Sequence, residues 1–193
     1  PKNQKVYFEV FGIDDKIYAG ALLASSEEFS SGARPDGGYL PGLIAYYTDT
    51  DTNAVRYRAT TAGTALGTEN ITGTNYFNAV IGITIDQAQN LVGFYPGGLL
   101  KSQLGQSNAV DTTSDYVPLI AGYGSGKMAV NFGQDSSFGG RKESQGYTDA
   151  NGEGDFFYKP PAGHIALCSN NLDGPNVIPN EAFAATLYAG NGA

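Results

Sequence analysis

The chain has 193 residues, of which 41% are hydrophobic and only 16% are charged, and its formal net charge is −8. This length and hydrophobic content suffice for one well-buried core and exclude an intrinsically disordered chain. The acidic balance argues against nucleic acid and anionic membrane surfaces as partners, since both need clustered lysine and arginine, and no apolar run approaches the roughly 20 residues of a membrane span.

Glycine and aromatic residues are abundant, with 27 glycines, 13 tyrosines and 10 phenylalanines, which favours an all-β fold. Short runs rich in β-branched and aromatic residues, bounded by turn residues, predict the strands. In chain order these runs are residues 5–10, 17–23, 43–47, 54–58, 79–85, 91–95, 116–121, 127–132, 165–168 and 183–188. Their number and spacing predict two packed antiparallel sheets, a β-sandwich.

The polar and glycine-rich stretches between the runs predict loops, at residues 25–38, 60–75, 105–115 and 136–154. The last of these is expected to be a surface excursion. Helix signals are confined to possible turns at residues 25–29 and 86–89. We find no linker, so residues 1–193 are expected to form one domain. Because the chain starts at Pro1 and stops at Ala193 just after a strand-like run, we expect it to be part of a longer polypeptide or a processed or trimmed product.

Nucleophilic catalysis has few candidate residues. His164 is the only histidine and Cys168 the only cysteine. If both lie on one strand they share a face but stand about 13 Å apart, too far for a hydrogen bond between nucleophile and base. We expect structural or surface roles for both residues and no catalytic site.

Two groups of carboxylates have short spacings that could suit Ca²⁺. Asp49, Asp51 and Asn53 begin like a calcium loop, but alanine and threonine stand where that loop needs glycine and an acid, which favours a plain turn. A second group alternates in a glycine-rich loop and could hold Ca²⁺, although solvated carboxylates are the favoured interpretation. Its members are Asp149, Asn151, Glu153 and Asp155. No metal or other cofactor is predicted.

Glu9 is the only acid centred in a strand-like run. A glycan-cleaving enzyme needs two facing acids about 5–9.5 Å apart in a groove. No acid motif points to such a pair, but spacing alone leaves this alternative open, because a fold brings distant residues together.

Several segments, in order, resemble the SPRY (B30.2-like) domain, whose fold is a concanavalin-like jelly roll. They are KVYFEV at 5–10, VIGITID at 80–86, LVGFY at 91–95, YVPLI at 116–120, and VNFGQ at 130–134 with Phe138. The C-terminal part, PPAGHIALCSNNL at 160–172 and LYAGNG at 187–192, looks like SPRY-type domains of tailed-phage tail and virion proteins. Phe132 and Phe138 are expected to plug the core.

The resemblance implies a non-catalytic binding or structural module on the surface of a phage virion, such as a tail fibre that attaches to the host. Its expected partners are other virion proteins and a host glycan or protein receptor, and we expect a homo-oligomer in the virion. The expected contact loops are residues 25–39, 60–75 and 139–157, with Tyr39, Tyr76 and Tyr147 as contact residues. A capsid or tail assembly or decoration protein is the first alternative, and the glycan-cleaving enzyme is the second.

Overall fold

A computed structural model describes residues 4–13, 17–23, 43–48, 53–58, 65–70, 78–89, 91–100, 102–104, 116–122, 126–168 and 170–171. The strands in these ranges are β1 (Lys5–Gly12), β2 (Ile17–Leu23), β3 (Leu43–Thr48), β4 (Asn53–Arg58), β5 (Ala65–Asn70), β6 (Val80–Asp86), β7 (Leu91–Pro96), β8 (Ser102–Leu104), β9 (Tyr116–Gly122), β10 (Met128–Asn131) and β11 (Ile165–Ala166). No helix occurs within the described ranges, and so none that could cross a membrane.

The strands form two sheets. The first has the order β10-β1-β6-β7-β8, and β11 also pairs with β1, in parallel. The second has the order β5-β4-β3-β2-β9. Every other pairing is antiparallel. The predicted all-β, antiparallel two-sheet sandwich is therefore confirmed.

One apolar core joins the two sheets. On β6, alternate residues Ile81, Ile83 and Ile85 lie in this core, as period-two alternation requires. The second sheet contributes Ile44 and Tyr46 from β3, among others. The ring of Tyr46 lies 6.2 Å from that of Phe94 in β7, so the two sheets meet face to face.

The runs predicted at 43–47 and 54–58, and at 79–85 and 91–95, pair as hairpins, β3 with β4 and β6 with β7. The glycine-rich connection over 122–127 predicts a further hairpin, and this prediction is wrong, because β9 pairs with β2 in one sheet and β10 pairs with β1 in the other. The strand predicted at 183–188 lies outside the described residues, and two strands of the structure were not predicted. The prediction of a loop over 60–75 is wrong at Ala65–Asn70, which forms β5, and β8 at Ser102–Leu104 carried no sequence signal. Both lie at sheet edges, where hydrogen bonds to the neighbouring strand support residues whose own sequence shows no alternation.

Two glutamine side chains imitate strand partners at the edges. Gln87, in the turn after β6, accepts from the backbone N–H of Tyr116 at 2.9 Å and donates to its carbonyl at 2.6 Å, which ties the first sheet to the edge strand β9. Gln134 donates to the carbonyl of Val130 at 2.7 Å and accepts from the N–H of Phe132 at 2.6 Å beside β10. These amides satisfy backbone groups that an edge would leave open.

Candidate functional site

The central strands of the first sheet, β1 and β6, are buried on both faces. On β1, Tyr7, Glu9 and Phe11 alternate with the residues that face the core between the sheets, yet all three are also buried. Their cover comes from residues 132–168 and 170–171, which we call the covering segment. In this segment the ring of Phe156 packs edge-to-face against the ring of Tyr7, with ring centres 5.2 Å apart. The ring centres of Phe138 and Phe11 are 5.7 Å apart.

This cover corrects the interpretation of residues 136–154 as a simple surface excursion. Ser136, Phe138 and Asp149 are buried there, although most neighbours are exposed. Polar composition hid the packing, because a few apolar and hydrogen-bonded residues suffice to hold a long loop against a sheet. Of the two predicted core plugs, Phe138 is buried and Phe132 is half-buried against Phe8, with ring centres 5.4 Å apart.

Glu9 is the polar anchor beneath the covering segment. It is fully buried, and its Oε1 accepts from the Tyr158 N–H at 2.7 Å and from the Tyr7 hydroxyl at 3.0 Å. Its Oε2 accepts from the Phe157 N–H at 2.9 Å and from Nδ2 of Asn131 at 3.1 Å. Burial raises the pKa of Glu9, and these hydrogen bonds only partly oppose that shift. The carboxylate holds backbone from about 150 residues away and does not face solvent.

Asn131, in the VNFGQ segment, links the strand end to the same anchor. Its Nδ2 donates to Glu9 and to the carbonyl of Asp155 at 2.8 Å. Its Oδ1 accepts from the N–H groups of Gly133 at 2.8 Å and Asp135 at 3.1 Å. The amide is fully buried and uses both ends, so it fixes where β10 stops and the covering segment starts.

Steric crowding and a positive φ explain why a glycine follows Phe132. Gly133 has a φ of 107°, and a Cβ there would lie 3.2 Å from the Cα of Gly154 and 3.2 Å from the ring of Phe156. Its carbonyl accepts from the Asp155 N–H at 2.9 Å. Only glycine allows the two backbones to approach so closely in this conformation.

A second carboxylate, Asp149, closes the covering segment on itself. Its Oδ1 accepts from the N–H groups of Asn151 at 2.8 Å and Glu153 at 2.9 Å. Its Oδ2 accepts from the Ala166 N–H at 2.7 Å and from Nδ2 of Asn171 at 2.6 Å. Nδ2 of Asn151 in turn donates to Oδ1 of Asn171 at 2.7 Å. We call these contacts among Asp149, Asn151, Glu153, Ala166 and Asn171 the clasp.

The clasp determines the protonation state of Asp149. Burial on its own would raise the pKa of Asp149, but the N–H donors of Ala166, Glu153 and Asn151, with the Asn171 amide, outweigh it and lower the pKa. The ionised form is therefore the one that the fold favours.

The same geometry bears on the calcium interpretation of Asp149, Asn151 and Glu153. Both oxygens of Asp149 point at N–H donors, and Glu153 Oε2 accepts from Nδ2 of Asn170 at 3.1 Å. Within the described ranges no group of three or more His, Cys, Asp or Glu side chains is arranged to hold a metal ion. In the structure these residues form hydrogen bonds between two parts of the covering segment, and the calcium site stays a prediction.

Of the first calcium candidate site, Asp49 and Asp51 lie outside the described residues. Asn53 is described only as the first residue of β4. Among the predicted contact residues, Tyr39 and Tyr76 also lie outside the described residues. Tyr147 is described.

Tyr147 is a large exposed residue on a firmly held backbone. Its side chain is 44% exposed. Its N–H donates to the carbonyl of Phe156 at 3.0 Å, and its carbonyl accepts from the Phe156 N–H at 2.7 Å. Since Phe156 is fully buried against Tyr7, the exposed ring is joined directly to the packed layer.

His164 and Cys168 occupy separate surroundings. Nδ1 of His164 lies 3.3 Å from the carbonyl oxygen of Ala162, and burial lowers the pKa of this histidine. Cys168 is half-buried and packs against the cluster formed by Tyr7, Phe156 and Ala166.

Comparisons with solved structures show weak similarity. No family model and no curated protein matches the chain. Among solved structures it is similar to the crystal structure of the TRIM65 PSpry domain, with a TM-score of 0.46 and 12% identity over 67% of this chain and 65% of that chain. A similarity of this extent assigns neither family nor function, whereas the two-sheet architecture rests on the strand pairing itself.

Sequence reasoning did not predict the hydrogen-bond partners of Glu9 and Asp149. Asn131 and Asn171 stand out in the sequence only as members of the 130–134 and 160–172 motifs, and no role is predicted for either. A usable signal existed for Glu9, since a lone acid in an apolar strand must find donors if it is buried. No signal in the sequence named those donors.

Proposed function

We propose that this chain is a non-catalytic binding module of a phage virion, part of a tail fibre or another surface appendage that attaches to a host glycan or protein. The virion setting rests on the sequence resemblance of residues 160–172 and 187–192 to SPRY-type domains of tailed-phage proteins. The binding role rests on the covering segment.

The observation that carries the binding role is the way Tyr147 is held. Its side chain is 44% exposed while its backbone pairs with the fully buried Phe156. A tyrosine ring offers both apolar area and a hydroxyl, and a fixed backbone lowers the entropy lost on binding. Loops on a rigid sandwich are the usual place for such contacts.

The two buried carboxylates support a binding role over glycan cleavage. Glu9 and Asp149 each accept four hydrogen bonds from protein groups, which is a structural use of an acid. An acid or base for glycoside hydrolysis must instead reach the substrate.

Binding of the intact chain to a glycan array and to host cells tests this proposal. We expect binding without turnover, and Tyr147→Ala should weaken it about tenfold or more, as truncation of an interface aromatic does. Gln89→Ala is the control, because Gln89 is exposed in the turn after β6 and lies outside the covering segment. Equal binding by wild type and Tyr147→Ala, or bond cleavage in a bound glycan, would contradict the proposal.

One observation favours an assembly role as a second candidate. Leu99 and Leu100 are adjacent and 65% and 50% exposed. Neighbouring exposed leucines are a feature of contact surfaces between subunits. If assembly through this turn is the role, a Leu99→Ser, Leu100→Ser double variant should lose the oligomer that wild type forms in sedimentation measurements, while Tyr147→Ala retains it.

A further inference from the structure

The turn of the clasp contains an Asn-Gly pair, Asn151-Gly152, at an exposed position. Asparagine followed by glycine is the pair most prone to spontaneous deamidation, because glycine has no side chain to hinder attack by its own backbone nitrogen. Gly152 has a φ of 79°, and the space that a Cβ would occupy is open.

We propose that Asn151 is a site of spontaneous deamidation, and that its conversion opens the clasp. In the first step the backbone nitrogen of Gly152 attacks Cγ of Asn151, forming a cyclic imide and releasing ammonia. Water then opens the ring to aspartate or isoaspartate. The side chain thus loses one nitrogen as ammonia and gains one oxygen from water.

The native contacts slow this step without blocking it. The Gly152 N–H donates to the carbonyl of Asp149 at 3.2 Å, at the long end of the usual range, and the side-chain amide of Asn151 is held by Asn171. Attack requires both contacts to open, which an exposed turn does far more often than the packed core.

The product does not fit the clasp. A carboxylate at position 151 would bring an acceptor against Oδ1 of Asn171, where the amide now donates. Asn171 cannot turn its amide to compensate, because its Nδ2 donates to Asp149 at 2.6 Å and to the carbonyl of Ala166 at 3.2 Å. The new charge also lies beside the ionised Asp149. Isoaspartate would in addition lengthen the backbone within the turn.

Peptide mapping by mass spectrometry of the intact chain, aged at mildly alkaline pH, tests the first half. We expect conversion at Asn151 in the folded protein, slower than in urea, and faster than at Asn170, which an asparagine follows. If Asn151 stays intact in the folded protein over the time in which it is fully converted in urea, the proposal is wrong.

The Asn151→Asp variant tests the second half. Hydrogen exchange at the Ala166 N–H, which donates to Asp149, should accelerate about fivefold to tenfold, as expected for the loss of one net hydrogen bond. Ala150→Asp is the control, since it adds the same charge at an exposed neighbouring position. Equal exchange in Asn151→Asp and wild type, or an equal increase in both variants, would overturn the release of the clasp.

Discussion

Replacing Asp149 with asparagine tests whether this carboxylate holds the covering segment together. The substitution keeps the shape of the side chain but turns one accepting oxygen into a donating nitrogen. Each oxygen of Asp149 accepts two N–H donors, so either orientation of the new amide faces two hydrogens with two more.

The expected cost follows from which donors lose their acceptor. With the nitrogen at the Oδ1 position, the N–H groups of Asn151 and Glu153 lose their acceptor, but water can reach them because the turn is exposed. With the nitrogen at the Oδ2 position, the buried N–H of Ala166 and the amide of Asn171 lose their acceptor, and each unpaired donor costs about 1–3 kcal/mol of stability. The first orientation is cheaper, and we expect the free energy of unfolding to fall by about 2–3 kcal/mol.

The pH dependence gives the prediction a second readout. The folded-state pKa of Asp149 lies below its ordinary value of 3.8, so its stabilising contribution is present above that value and is lost as the pH falls through the folded-state pKa. The difference in unfolding free energy between wild type and Asp149→Asn should therefore be full at neutral pH and shrink in acid.

Urea unfolding at neutral and acidic pH measures both quantities. Glu143→Gln is the control, because it removes the same charge from an exposed side chain of the covering segment and should change stability by less than about 0.5 kcal/mol. A change that small for Asp149→Asn, or a difference that stays constant in acid, would refute the assigned role.

Two further predictions concern Glu9 and Phe132. The folded-state pKa of Glu9 lies above its ordinary value of 4.5, so its contribution to stability is full below that value and declines as the pH rises through the folded-state pKa. In urea unfolding across that pH window, Glu9→Gln should lack this decline. A stability difference in favour of wild type that grows with pH would contradict the prediction. Phe132→Ala should cost about 2–3 kcal/mol, less than the 3–5 kcal/mol of a fully buried phenylalanine, because its ring is half-buried against Phe8, and a loss below about 1 kcal/mol would argue against this packing.

Local pattern was enough for the strands that lie inside the sheets. In β1 and β6 the alternation of apolar residues is visible along a few consecutive positions, and the structure pairs these two strands. The edge strands β5 and β8 escaped the same reasoning, because the neighbouring strand, rather than their own residues, supports them.

The site was less accessible to sequence reasoning. The oxygen-rich spacing of Asp149, Asn151 and Glu153 is visible in the sequence, but the hydrogen-bond partners of Asp149, Ala166 and Asn171, lie 17 and 22 residues away along the chain. Without them the pattern suits a cation as well as a set of N–H donors. Tyr147 was named from composition and position alone, and only its pairing with Phe156 shows how firmly it is held.

The sequence by itself determined that this protein is an antiparallel β-sandwich, since strand periodicity and turn residues are properties of neighbouring positions. Only the tertiary structure decided that β1 and β6 are buried on both faces. Glu9 meets Phe157 and Tyr158 across separations of 148 and 149 residues. A buried carboxylate is stable only when it accepts hydrogen bonds from nearby donors. Only the tertiary fold can bring donors together with Glu9 across so many residues of chain.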